Sequence, residues 1–397
     1  MDPGVVFDDI DRVDSSPSKH AEPAFVFLNR VAGPFWDRTR STVSDWFGRL
    51  PVDMQPDVLG RLRSGDDRQL SGAFWEMYVH EALSREGFDL VPHPVVPGTQ
   101  SRPDFAATRI DASFYVEATV IGESAAEAAA DRRRNVIYDS LNAVDSPNFF
   151  LGLEVEAEGA TSPSARRLRT DLEHWLGNLD PDKATEAMKS GLDLLPTFRW
   201  DAEGWTVSFR AIPKNEDSRG KPGVRPLGMF GPGRAAAVYD VGQVRSDLGE
   251  KAGKYDRPDL PFLIAASVES PFFDAEHTTS GALFGREAVQ FDPDSMESRS
   301  IRTPDGLWTS PSGPRNTRVS AVLIVQNVSP WHFLHREPIV WNNPWAALPL
   351  PDVLPWEARK VDLGHGTLVK RDATRRAHEV LGVPEGWPGP EDPIPDA

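Results

Sequence analysis

Three carboxylates stand where local patterns would bring them together. Asp104 follows Pro103 at the opening of one extended run, and Glu117 lies thirteen residues on in the next, so a hairpin sets the two side by side. Alternation along Ser113 to Val120 puts Tyr115, Glu117 and Thr119 on one face and Phe114, Val116, Ala118 and Val120 on the other. Glu117 is then the single charge of an apolar strand, which is costly unless the carboxylate is paired or holds a metal. Glu76 is four residues from His80 and shares its helix face. Two or three carboxylates with water suit Mg²⁺ or Mn²⁺, hard ions that prefer oxygen. Plainer readings compete: Glu76 as the partner of an arginine or of His80, Asp104 as a turn-former after Pro103, and His80 as a core histidine.

These residues need a frame. Ser71 is expected to cap a helix through Phe74-Trp75-Glu76-Met77-Tyr78-Val79-His80-Glu81-Ala82-Leu83, with Gly87 as its terminator. Phe88 to His93, Asp104 to Thr108 and Ser113 to Val120 read as three strands, the last two pairing as a hairpin. Ser124-Ala125-Ala126-Glu127 is a capping box for a second helix along Ala130, Ile137, Leu141 and Val144. Phe149 to Val155 then reads as a buried strand, the parallel neighbour reached by that helical crossover. Helices are expected from Ser162-Pro163 and from Asp180-Pro181 to Gly191. Strands return at Trp205 to Ile212, Leu260 to Ser267 and Val319 to Gln326, with a helix over Val241 to Tyr255 and a last one over Ala373 to Leu381. Residues 24–70, broken by Pro34, Pro51 and Pro56, predict short helices.

The order helix, three strands, helix, strand, with Pro103-Asp104 followed by Glu117-Ala118-Thr119 on the next strand, resembles the PD-(D/E)XK or restriction-endonuclease-like nuclease superfamily. The resemblance covers Ser71 to about Val155. It implies an α/β fold with a restriction-endonuclease-like core, an extended sheet and helical insertions. It also implies that Asp104 and Glu117, with Glu76, hold Mg²⁺ (or Mn²⁺), which polarises a phosphodiester and activates an attacking water. The activity implied is that of a Mg-dependent endonuclease-like phosphodiesterase acting on DNA. Thr119 stands where the superfamily has its lysine; it hydrogen-bonds a water but brings no charge. Lys251 and Arg134 rank first as substitutes for that cation, and Arg133 is a further candidate.

The composition sets bounds. The 397 residues, 39 % hydrophobic and 26 % charged, describe a folded chain of about two domains. Its 36 prolines and 31 glycines promise many loops. The net charge of −17 disfavours a protein that coats nucleic acid by bulk electrostatics. Met1 to Glu22 and Gly382 to Ala397 are acidic and read as mobile tails. Arg210 to Arg234 is the one extended cationic segment, and Lys214, Arg219, Lys221 and Arg225 are its candidates for phosphate contact. With no cysteine, disulfides, thiolate nucleophiles and cysteine-type zinc sites are excluded. There is no Gly-x-Ser-x-Gly elbow and no Walker-type loop, and His332 with His335 lacks a third histidine. No long apolar run or secretory signal is evident, so a cytoplasmic, membrane-free protein is expected, either a homodimer or one with a protein partner.

The expected organisation is a tail (1–22), a helical segment (23–70), the nuclease-like core (71–158), a helical insertion (159–200), a sheet extension or second half of the core (201–345), a C-terminal segment (346–381) and a second tail (382–397). Two functional alternatives accompany the nuclease. One is a catalytically inactive nuclease-fold protein that binds nucleic acid or protein. The other, of a different class, is a carboxylate-dependent hydrolase of a non-nucleic-acid substrate, with a glycosidase-like Glu/Asp pair as its template.

Overall fold

Prolines at or near helix starts divide the first stretch into α1 (Ala24–Arg30), α2 (Pro34–Arg49) and α3 (Gln55–Leu62). The computed structural model describes residues 5–122, 124–221, 226–230, 241–270, 276–291, 298–363 and 366–390. Helix α4 (Asp67–Arg85) starts one turn before Ser71, because the Asp66 side chain accepts from the Arg68 N–H and takes the capping role. Gly87, at φ +84°, follows its end. The meander β1 (Asp89–Pro92), β2 (Phe105–Arg109) and β3 (Ala112–Ile121) comes next, antiparallel throughout, with Phe105 opposite Val116.

The capping box at Ser124 forms and opens α5 (Ala125–Asn142), and β4 (Phe149–Ala157) follows. Here the structure departs from expectation. Strand β4 does not pair with β3; together with β5 (Thr197–Ala202), β6 (Trp205–Pro213) and β7 (Leu227–Phe230) it forms a separate four-stranded sheet in the order β5-β6-β4-β7. Helices α6 (Ala165–Gly177) and α7 (Pro181–Ser190), the expected helical pair, belong to this second unit. Its core is its own, built from Ile137, Leu151, Leu168, Leu172, Val207 and Phe209 among others.

The strand beside β3 is β8 (Phe262–Val268), parallel to it and reached through α8 (Val241–Ala252). The reason is visible in burial. All seven residues of β8 are buried, as a strand covered on both faces requires, whereas β4 alternates and exposes Glu154. Next come α9 (His277–Phe284), the ribbons β9 (Glu287–Phe291) with β10 (Ser298–Arg302) and β11 (Thr309–Ser310) with β12 (Gly313–Pro314), and then the buried β13 (Ala321–Gln326), parallel to β8. Strands β14 (Ile339–Asn342), β15 (Glu357–Val361) and β16 (Leu368–Arg371) complete an eight-stranded mixed sheet, β1-β2-β3-β8-β13-β14-β15-β16, and α10 (Ala377–Leu381) ends the regular structure.

The described residues thus form two compact units, one from 5–15, 23–122 and 241–390 and the other from 16–22 and 124–230. The expected core at 71–158 is corrected accordingly: its second helix and fourth strand lie in the second unit, and the strand parallel to β3 is β8. The expected division at 159–200 and 201–345 also dissolves, since α6, α7 and β4–β7 share one unit. Nor are residues 5–22 a free tail. Val6 and Phe7 are buried, and the Phe7 ring stacks on Phe25 at 5.5 Å. At the other end Trp387 packs on Phe333 at 4.1 Å; residues 391–397 lie outside the described residues. Among the described residues no helix is long and apolar enough to cross a membrane.

Two cores flank the large sheet. Phe114, Val116, Leu263 and Ala265 face the cluster that holds α4, while Tyr115, Phe262, Ile264 and Ala266 face the cluster that holds α8. Trp75 fastens α4 to the sheet: it is 1 % exposed, stacks on Tyr78 at 5.0 Å and donates its indole N–H to the Ala265 carbonyl at 2.9 Å. Trp75→Ala removes a large buried ring and a sheet contact, and is expected to destabilise the first unit by about 3–5 kcal/mol. Urea denaturation followed by tryptophan fluorescence measures this; a loss below about 1 kcal/mol would show that α4 docks by other means.

Candidate functional site

The β2–β3 register places Asp104, one residue before Phe105, opposite Glu117, one residue after Val116. Asp104 Oδ2 accepts the Ala118 N–H at 2.6 Å, and the Asp104 carbonyl accepts the His93 N–H at 3.1 Å. The residue is therefore fastened from both sides of its strand.

Glu117 is 3 % exposed. Its Oε1 accepts from Lys254 Nζ at 2.5 Å, with Lys251 Nζ at 3.6 Å from the same oxygen, while Oε2 accepts from the Tyr255 hydroxyl at 2.7 Å. All three groups come from the last turn of α8 or from the residues just after it. Val244, Leu248 and Ala252, spaced by four, are buried in the cluster that contains Tyr115, Tyr255, Phe262 and Ile264. Lys251 lies in the last turn, the Gly253 N–H bonds the Gly249 carbonyl as the helix closes, and Lys254 and Tyr255 follow at once. Burial pulls the Lys254 ammonium down, but the hydrogen bond and charge of Glu117 outweigh it and the net shift is upward. Burial, then the hydrogen bond and charge of Glu117, push the Tyr255 hydroxyl far above its usual range, so it remains a donor. Thr119, on the same face of β3 and half-buried, pairs in register with Ala266.

Glu76 meets the sequence-based alternative of an arginine partner. Arg61 Nη1 and Nη2 reach its two oxygens at 2.7 and 2.5 Å, and Arg61 Nε also bonds Asp57 at 2.9 Å. Burial lowers the Arg61 pKa, yet the hydrogen bond and charge of Glu76 turn the net shift upward. His80 is a core residue, buried with its ring 5.8 Å from Phe105.

Asp104 is the exception. Among the described residues no lysine or arginine pairs with it, and its carboxyl is pushed up to about 7. Burial is the largest cause, followed by the charges of Glu76 and Glu117; the Ala118 N–H and the more distant Lys254 only partly oppose them. Three acids and three bases therefore meet at this site, but the cations are unevenly shared.

Other expected site residues lie elsewhere. Arg134, in the second unit, is tied to Asp131 and lies 3.6 Å from Glu158, so it is corrected from substitute cation to a locally paired charge. Lys214 is buried, donates to the Ser146 carbonyl at 2.9 Å and sits 5.2 Å over the Phe150 ring. Arg219 is held by Asp182 at 2.6 Å, Thr185 at 3.0 Å and the Lys214 carbonyl at 3.0 Å. Both are corrected from phosphate contacts to internal ties of a loop; Lys221 is exposed, and Arg225 lies outside the described residues. Lys251 is the one proposed substitute that reaches Glu117. The sequence reading missed Lys254, Tyr255 and Arg61. The signal for Lys254 was its position three residues after Lys251, just past the end of the helix that leads into the buried strand.

Among the described residues no three His, Asp or Glu side chains come close enough to hold a metal ion unaided. Glu76, with both oxygens on Arg61, is set aside as a ligand. Glu117 likewise has both oxygens occupied, by Lys254 and Tyr255, whereas the Asp104 carboxyl accepts only the Ala118 N–H among the described residues.

A raised carboxyl pKa is a stability cost with a definite pH window. Below about 4 Asp104 is protonated in both folded and unfolded chains and costs nothing; between about 4 and 7 the unfolded chain releases the proton first, so folding weakens as pH rises. The full cost is on the order of 4 kcal/mol. Asp104→Asn, which retains an oxygen for the Ala118 N–H, is expected to be more stable than wild type at pH 8, with the difference closing by pH 4. Urea midpoints at both pH values test this, and an equal difference at each would refute the cause given.

Compared with protein-family models, with curated proteins and with solved structures, the chain has no match.

Proposed function

We propose that the chain is a metal-dependent nuclease of restriction-endonuclease-like fold, hydrolysing phosphodiester bonds in DNA. The observation that carries the reading is the pairing of Asp104 with Glu117 across β2 and β3, with lysines from α8 at the tip of Glu117. The order α4, β1, β2, β3, α8, β8 supports it, since this is the helix, three strands, helix, strand series that the Pro103-Asp104 and Glu117 motif implies. The lysine absent at Thr119 has a counterpart in Lys251 and Lys254, which bring positive charge to the same place from the helix rather than the strand.

Asp104 and Glu117 are the ligands for Mg²⁺ or Mn²⁺. When bound, the ion supplies Lewis-acid polarisation of a phosphoryl oxygen and a more acidic water. The protein's own groups do the rest. Lys251, at 3.6 Å from Glu117 and without a hydrogen bond to it, keeps its N–H donors for a substrate phosphate or an attacking water. Lys254 and Tyr255 hold the Glu117 carboxylate in orientation, and Arg61 holds Glu76 in place. In the reaction water adds to phosphorus, the P–O bond to the leaving sugar oxygen breaks, and that oxygen takes up a proton.

Incubation of the full chain with plasmid and single-stranded DNA and Mg²⁺ or Mn²⁺ tests the proposal. Wild type is expected to cut. Asp104→Ala and Glu117→Ala are expected to abolish cutting, and Lys251→Ala to slow it by about 10²-fold, the usual scale for removing one charge-stabilising donor. Equal behaviour of wild type and all three variants would sink the enzyme reading. DNA binding that weakens steeply with salt but brings no cleavage would support the inactive nuclease-fold alternative instead.

A further inference from the structure

Two lysines stand at one oxygen of Glu117, and the one that bonds it is the more exposed of the two. Lys254, with its side chain 37 % exposed, reaches Oε1 at 2.5 Å, while Lys251, at 24 % and inside the last turn of α8, stays at 3.6 Å. Lys254 lies beyond the helix, where its N–H bonds the Lys251 carbonyl at 3.2 Å, so its side chain needs further ties. Arg318, between β12 and β13, supplies them. Its Nε donates at 2.7 Å to the Ala252 carbonyl, which the helix end leaves without an internal donor, and its Nη1 lies 3.9 Å from Asp256 Oδ1. Only Gly253, Lys254 and Tyr255 stand between those two contacts. The Asp256 pair is exposed and weak, so the charge-assisted carbonyl bond is the stronger tie. The arginine is itself aimed: Nη2 donates to Asn316 Oδ1 at 3.2 Å, and Asn316, at φ +48°, donates to the Leu307 carbonyl at 2.8 Å. Ser320 exchanges two bonds of 2.8 Å with Phe262 at the start of β8, which fixes this segment relative to the strand beside β3. Past Asp256, the Tyr115 hydroxyl donates to Asp259 at 2.9 Å.

We infer that Arg318 is a positioning residue, which holds the turn after α8 so that Lys254 occupies Glu117 and Lys251 is left for substrate. The use of Lys251 rests on the nuclease reading above and deepens it; the division of labour between the two lysines stands on the contacts alone. Without Arg318 the turn loosens and Lys254 goes to water. Lys251, already 3.6 Å away on an ordered helix, then closes on Oε1 in its place, because a buried carboxylate keeps a partner. Arg318 thus acts on the site through the Ala252 carbonyl, without touching Glu117 itself.

Acylation of the full chain with acetic anhydride, read lysine by lysine by mass spectrometry, tests this. A lysine held on a carboxylate must leave that oxygen before it reacts. Wild type is therefore expected to label Lys251 about tenfold faster than Lys254, against the order of their exposures and on the scale of one hydrogen bond to a charged group. Arg318→Gln is expected to reverse the order. A plain helix cap would lower the melting temperature of Arg318→Gln but leave the order as in wild type, and that result overturns the positioning role. So does a wild type in which Lys254 labels first. Should Arg318→Gln fail to fold, Asn316→Gly, which permits the φ of +48° and removes the tie that aims Arg318, is expected to narrow the ratio; an unchanged ratio there overturns the role equally. DNA cleavage with Mg²⁺ is followed in parallel. If wild type does not cut, the nuclease reading falls while the labelling order still decides the role of Arg318.

Discussion

A carboxylate in the middle of a buried strand has to be neutralised where it sits, and Glu117 imposes that condition on everything around it. Leaving it without its partners would strand a charge in the interior at a cost of about 3–5 kcal/mol. The end of α8 supplies the partners, stopping close enough for Lys251, Lys254 and Tyr255 to reach β3. The apolar row Val244, Leu248 and Ala252 seats the helix on the sheet, and the Gly253 N–H closes it on the Gly249 carbonyl. The carboxylate and the helix end thus specify one another: the strand needs the donors, and the donors are held in ordered positions because the strand offers them an anion.

The same condition explains how a long stretch of chain can intervene between β3 and α8. Parallel strands already need a crossover, because no tight turn can join them. Lengthening that crossover costs little, since loop-closure entropy grows only with the logarithm of length. What the sheet requires is that α8 and β8 return in register, with Tyr115 opposite Phe262 and Glu117 opposite Ile264. The intervening residues carry their own core of Leu151, Leu168, Val207 and Phe209 and their own four-stranded sheet.

Local patterns were legible where the physics is local. The meander from Asp89 to Ile121, the capping box at Ser124, the proline-started helices and the isolation of Glu117 on an apolar strand all follow from spacing and residue type. Pairing between distant segments was not. Phe149 to Val155 and Phe262 to Val268 are both apolar runs after a helix, and the first fits the pattern of a parallel neighbour reached by a helical crossover as well as the second does. The discriminating detail was small: Gly152 and Glu154 interrupt the first run, while the second has only Ser267 and is buried throughout. The basic stretch at Arg210–Arg234 misled for a related reason, since composition does not say whether a charge points outward. Lys214 and Arg219 turn inward to carbonyls and carboxylates of their own unit. Arg61 could not be matched to Glu76 in advance because the pair joins two helices whose relative placement depends on tertiary packing.

The opposition between net charge and function also takes a different form at the site. Counted as a group, Glu76, Asp104 and Glu117 face Arg61, Lys251 and Lys254, and the charges cancel. Counted by contact they do not: Arg61 occupies both oxygens of Glu76, both lysines gather at one oxygen of Glu117, and Asp104 has only a backbone N–H. A structural ion-pair network would spread its cations to lower its own energy. An arrangement that satisfies two acids and leaves the third uncompensated concentrates the cost on one residue, at the point where β2 opens and a mobile cation could relieve it. That localisation, rather than the number of acids, is what separates Asp104 from the two acids held in salt bridges.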